Sequence, residues 1–305
     1  MRVLFAVDGS EGSFAAVRQI GPLLCPERDH IVVYYRPPDI ELHGGSAGSD
    51  AVAAARQAVA DCVVDATRKQ FPGDFLAKPD TIFGHQDPRR GITLAAEQWN
   101  ADLIAVGARG LGKFKRLLLG SVSRAVVHST RIPVWVARPK KDAARSAFRV
   151  LIAAKGPETA DVLVQLLSRF SWPDASSFTL VSVLQSMFAG QVPEWLQQQS
   201  RSPDVEEMVR RWVEEEEQES RDHLSSLQKV MEKFPRPLAS ASIDVVQGDP
   251  TTQILEAIAR GQFDLVVLGT HNERPLLNTL LGSTAAAVLD HAECSVLIVP
   301  RREHP

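Results

Sequence analysis

Of 305 residues, 44% are hydrophobic and 23% charged, and 34 basic against 37 acidic side chains leave a formal net charge of −3. That length carries two ordinary domains, each with its own core. A slightly acidic chain offers no global basic field to nucleic acid or an anionic membrane, so any anion site must be local. Cys25, Cys62 and Cys294 are odd in number, far apart and in no CxxC. They suggest neither a disulfide framework nor a zinc site, and they fit a reducing cytoplasm. "MRVLFAVDGS" holds too short an apolar run before Asp8 for a signal segment, and no later stretch approaches the ~20 apolar residues of a membrane span. The expectation is a cytoplasmic protein with no nucleic-acid or membrane partner and no metal site.

In chain order, short β-branched runs alternate with longer helical stretches. The runs are Val3–Val7, Ile31–Tyr35, a weaker Thr81–Phe83, Leu103–Val106 and Val134–Ala137, then Val150–Ala154, Phe178–Val183, Ile243–Val246, Leu265–Leu268 and Val296–Val299. Near-continuous apolar runs predict strands buried on both faces of a mostly parallel sheet, hence an α/β fold with helices on both sides. The chain also repeats. "RVLFAVDGSEGS" from Arg2 matches "RVLIAAKGPETA" from Arg149, and "DPRRGITLAAEQWNADLIAVGARG" from Asp87 matches "DPTTQILEAIARGQFDLVVLGTHN" from Asp249 at an offset of 162 residues, which continues to "PVWVARP" and "SVLIVPR". Two copies of one five-stranded domain follow, residues 1–140 and 147–305, joined by the polar connector "RPKKDAARSA", Arg138 to Ala147.

In such sheets ligands bind beyond the carboxyl ends of the strands, where strand order reverses. That rule points to Asp8-Gly9-Ser10 after the first strand and to "VGARGLGKFKRLLLGS", Val106 to Ser121, after the fourth. The stretch contains GxxxxGK, but Phe114 replaces the magnesium-binding hydroxyl of a P-loop, and a true P-loop follows the first strand. Gly107, Gly110, Gly120 and Ser121 form the better pattern, GxxGx₉GS. Gly107 and Gly110 let backbone N–H groups approach an anion closely, and Ser121 opens a periodic segment whose free N–H groups and dipole favour phosphate. Lys113, Lys115 and Arg116 lie between, each as readily read as a solvated face. Asp8 reads either as a ligand residue or as a helix cap.

"VDGSEGS", GxxGx₉GS and a last strand like "PVWVARP" together resemble the universal stress protein family, as a tandem pair covering nearly the whole chain. The resemblance implies Rossmann-like domains and ATP as ligand, with or without magnesium. It implies that Gly107, Gly110, Gly120 and Ser121, with Val122, hold phosphate and ribose, that Asp8 and Gly9 lie at the adenosine, and that Tyr34-Tyr35 flank the base. It assigns no catalytic residue. It also implies that the last strands of the two copies pair within the chain as a pseudo-dimer, leaving a homodimer open.

The second copy has Lys155 in place of Asp8 and Asn272 in place of Gly110, which predicts weak or absent nucleotide binding there and one nucleotide per chain. "VEEMVRRWVEEEEQESRDHLSSLQKVMEKF" reads as an amphipathic helix with Met208, Trp212, Leu224, Leu227 and Met231 on its apolar side. The insertion 185–204 reads as a lid, a docking segment for a protein partner, or a loop. Three functions stay open: an ATP-binding stress or signalling protein, a slow ATP hydrolase, and an interaction module without nucleotide.

Overall fold

The computed structural model describes residues 1–38, 49–73, 79–109, 119–139, 147–184, 203–270 and 281–300. Its contacts cluster into two compact units, residues 1–145 with 270–305, and residues 146–269. Gly110, Lys113, Phe114, Lys115, Arg116, Asn272 and nearly all of the 185–204 insertion lie outside the described residues.

In the first unit β1 (Arg2–Val7), β2 (His30–Tyr35), β3 (Asp80–Phe83), β4 (Leu103–Gly107) and β5 (Val134–Ala137) run parallel in the order β3-β2-β1-β4-β5. The helices are α1 (Glu11–Ile20), α2 (Ser49–Arg68), α3 (Pro88–Gln98) and α4 (Ser121–Ser129). The chain steps one way from β1 to β2 and β3, then returns across the sheet to β4. Strand order therefore reverses beside β1, opening a crevice at the carboxyl ends of β1 and β4. Val3, Leu4, Phe5, Leu103, Ile104 and Ala105 are fully buried, as strands covered on both faces must be.

The second unit repeats the pattern with β6 (Arg149–Ala153), β7 (Ser177–Leu184), β8 (Ser242–Gln247) and β9 (Leu265–Thr270), parallel in the order β9-β6-β7-β8, with α5 (Pro157–Leu167), α6 (Pro203–Met231) and α7 (Pro250–Gly261). Every strand predicted from an apolar run is present, with ends shifted by a residue or two. The amphipathic reading of α6 needs one correction. Leu227 and Met231 are buried, but Met208 is 59% exposed, so Met208 does not belong to the face that packs on the core.

The closing segment, α8 (Ser283–His291) and β10 (Ser295–Pro300), clusters with the first unit. There β10 pairs antiparallel with β5, Val296 opposite Val136, Leu297 opposite Trp135 and Ile298 opposite Val134. This is the predicted pairing of the two last strands, and it covers an edge that would otherwise present unpaired backbone groups.

Arg138, assigned by sequence to the polar connector, is instead built into this joint and only 8% exposed. Its backbone N–H donates to Ser295 Oγ at 3.1 Å, its Nε to the Cys294 carbonyl at 3.1 Å and its Nη2 to the Leu289 carbonyl at 2.6 Å. Burial pulls its pKa below the ordinary arginine value, against which the carbonyl bonds hold the charge in place. Gln19 of α1 ties the same residues together: its Nε2 donates to the Arg138 carbonyl, and its Oε1 accepts from Ser295 Oγ and Trp135 Nε1. Nearby, Arg124 of α4 makes a bidentate pair with Asp290 of α8 at 2.6 and 3.2 Å.

Candidate nucleotide site

The chain leaves β1 through Asp8-Gly9-Ser10. Gly9 has φ +80°, a left-handed turn that L side chains rarely adopt, and it reverses the chain into α1. Ser10 is the N-cap, its side chain accepting from Ser13 N at 3.2 Å. Asp8 is therefore not the helix cap. Its Oδ1 accepts from Ser10 N at 3.0 Å, which steadies the turn while the residue lines the crevice.

Two close approaches bring α1 against the end of β4. A Cβ on Gly107 would lie 2.4 Å from the Gly12 backbone carbon, and one on Gly12 would lie 2.4 Å from the Arg109 carbonyl oxygen. Only glycine permits backbone to touch backbone at this distance. The Arg109 carbonyl also accepts from Ser10 Oγ at 3.2 Å, and Ala108 N donates to the Ala137 carbonyl at 2.7 Å. On the far side Gly120 N donates to the Ala108 carbonyl at 2.8 Å, and Ser123 Oγ donates to the Gly107 carbonyl at 2.6 Å. These bonds fix the start of α4 against the end of β4. Gly120 is the N-cap of α4, with no side chain to occupy the helix's leading N–H groups, and Ser121 is its first residue.

A cavity of about 570 Å³ results, within the usual range for small-molecule sites. Asp8, Gly107, Gly120, Ser121 and Val122 line it together, as do Tyr34, Arg36, Pro88, Ile92 and Arg109. Gly9 does not. A Cβ there would meet Val63 Cγ2 of α2 at 3.5 Å, away from the crevice. Tyr35 does not line it either, because successive side chains of a strand point to opposite faces and Tyr34 has the crevice side. Tyr35 is buried, and burial, with the Asp8 charge adding, raises its pKa.

Tyr34 is 3% exposed, its hydroxyl held where Gly84 and Gly91 lack side chains; a Cβ on either would overlap that oxygen. The hydroxyl has no hydrogen-bond partner among the described residues. Burial raises its pKa, with nearby Arg36 opposing and Asp87 reinforcing. Asp87 caps α3, accepting from Arg89 N at 2.9 Å, and so sets the first turn that presents Pro88 and Ile92.

Sequence reasoning passed over Arg36, Arg109, Pro88, Ile92 and Ser123. Arg109 is a variable position of GxxG, Ser123 stands two residues beyond the GS pair, and Pro88 and Ile92 are one helical turn apart in "DPRRGITL".

The second unit's β6 end is built differently. Lys155 stands in the place of Asp8, and its carbonyl accepts from Ser182 Oγ at 3.4 Å. Ser182, fully buried, also bonds His223 Nε2 of α6 at 2.8 Å, and a Cβ on Gly156 would meet His223 Cε1 at 3.6 Å. Burial lowers the His223 pKa against the pull of Glu219. Thr159 occupies the position of Gly12, and a Cβ on Gly269 would meet its Cγ2 at 2.8 Å. A cavity of about 790 Å³ in this unit lies toward the opposite, amino ends of the strands, beside Arg149 and Phe263.

A profile of the universal stress protein family matches residues 1–138 and again 148–300. The chain belongs to that family. A universal stress protein of Mycolicibacterium smegmatis is 26% identical over 211 residues, covering 69% of this chain and 65% of its own. A second, from Synechocystis, is 31% identical over 93 residues, 30% of this chain and 58% of its own. The chain thus spans less than two thirds of these curated relatives. The solved structure of a universal stress protein from Archaeoglobus fulgidus aligns over 99% of this chain and 98% of its own with a TM-score of 0.60 at 21% identity, a likeness of fold. Among the described residues no helix is long and apolar enough to cross a membrane, and no group of three or more His, Cys, Asp or Glu is placed to hold a metal ion.

Proposed function

We propose that this universal stress protein binds ATP in the crevice of its first repeat, residues 1–140, and uses nucleotide occupancy as a signal in a cytoplasmic stress response. One observation carries the reading: Asp8, Gly107 and the run Gly120, Ser121 and Val122, from three separate stretches of sequence, line a single cavity at the point where strand order reverses. The residues suit the ligand from end to end. The leading N–H groups of α4 and the macrodipole behind them favour phosphate oxygens, and Arg109 adds a cation beside them. Asp8 is a carboxylate acceptor for ribose hydroxyls. Tyr34, Pro88 and Ile92 form an apolar wall for the base. The second repeat, residues 147–305, serves as the structural partner, since Lys155 cannot accept a hydrogen bond where Asp8 does.

Protein purified without added nucleotide and then denatured is the first test: release of ATP or ADP supports the reading. Gly120→Leu is the second. Gly120 has φ −62° and ψ 149°, a conformation open to any residue, and an added Cβ would meet the Ala108 oxygen at a tight 3.2 Å. The variant is expected to keep the fold while its side chain fills the phosphate end, so ATP affinity falls at least tenfold; unchanged affinity refutes the phosphate grip.

A further inference from the structure

The base end of the crevice carries a charge that a simple apolar adenine wall does not need. Arg36, the first residue beyond β2, lines the cavity with Tyr34, whereas Gly107, Gly120 and Ser121 line it from β4 and α4. β2 and β4 flank β1 on opposite sides, so their ends stand two strand spacings apart, roughly 10 Å. That separation matches the length of a nucleoside, with phosphate at α4 and the base at β2. Arg36 thus stands where a base edge must lie. Arg36 and the Asp87 carboxylate at the cap of α3 both act electrostatically on the buried Tyr34 hydroxyl, so the three groups lie near one another.

A guanidinium presents only N–H donors, in a planar fork. Guanine offers it two adjacent acceptors, O6 and N7. Adenine offers N7 beside an amino group, which sets donor against donor. From the placement of Arg36 we infer that the crevice takes guanine nucleotides at least as tightly as ATP, Arg36 being the residue that reads the 6-oxo edge. The inference rests on the nucleotide reading above and deepens it from adenine to purine nucleotides with a 6-oxo group among them.

GTP and ATP are titrated separately against the full chain and against Arg36→Met and Arg36→Lys, with thermal unfolding as the check on folding. Arg36→Met keeps the length of the stem and removes the donors; Arg36→Lys keeps the charge and removes the fork. In the unsubstituted protein GTP should bind at least as tightly as ATP. Both variants should weaken GTP about tenfold, the middle of the range for a lost bidentate base contact, and shift ATP less than about threefold. GTP bound tenfold more weakly than ATP by the unsubstituted protein overturns the inference and leaves ATP binding standing. Equal losses for both nucleotides in Arg36→Met also overturn it, since Arg36 would then serve charge or packing alone. Binding of neither nucleotide overturns the inference together with the reading on which it rests.

Discussion

The carboxyl end of β1 and the carboxyl end of β6 descend from one repeated pattern and are finished in opposite ways. At β1, Gly12 and Gly107 let backbone meet backbone, Asp8 lines a cavity, and Gly9 turns toward Val63. At β6, Thr159 fills the space of Gly12, Lys155 replaces Asp8, and a Ser182–His223 bond closes the strand ends on the α6 side. The difference teaches that the sheet and the strand ends are built from separate sets of residues. The strands are held by continuous apolar burial, which both units keep, whereas the site depends on a few positions where a side chain is absent or acidic.

The comparison breaks most visibly at the paired glycines. Gly107→Ala drives a Cβ into backbone and should destabilise the protein by about 3 kcal/mol, the upper end for overpacking. Gly269→Ala meets only the Thr159 methyl, which can yield, and should cost about 1 kcal/mol or less. Chemical denaturation of the two variants measures both, and equal losses would show that the two strand ends are not differently built.

A smaller effect is expected at Tyr34. Its buried hydroxyl lacks a hydrogen-bond partner among the described residues, so Tyr34→Phe relieves a desolvated polar group. Stability should stay level or rise by up to about 1 kcal/mol; a loss greater than 1 kcal/mol would reveal a bond that the hydroxyl makes.

The smallest effect belongs to the second unit. Burial favours neutral His223 in the folded state, so its folded pKa lies below the unfolded value of about 6.5. Between those two values the unfolded chain binds more protons, and stability must fall as pH drops below about 6.5. His223→Gln should remove that part of the acid dependence. An unchanged pH profile between 7 and 5 would deny the Ser182–His223 bond its place in the folded unit.

What was legible in the sequence follows from the physics of each feature. Strands buried on both faces are continuous apolar runs, so β1, β4, β6 and β9 stand out while the half-exposed β3 gives a weaker signal, and an offset of 162 residues held without gaps exposes the repeat. Gly107, Gly120 and Ser121 were legible because helix starts and close approaches need particular residue types. Tyr34 and Tyr35 were not separable: in a run of apolar residues no alternation marks which face is which, and a shift of one residue exchanges the faces. Arg138 looked like linker because its burial depends on α8 and the approach to β10, which arrive some 150 residues later and supply the Leu289 and Cys294 carbonyls that its guanidinium needs. Asp8 as cap or ligand residue was likewise undecidable until Ser10 proved to hold the cap.

The proposed function gives the first repeat a nucleotide site and the second none. Isothermal titration of the full chain with ATP tests it most directly. One tight site per chain is the predicted result; two equivalent tight sites, or no binding at all, would contradict it.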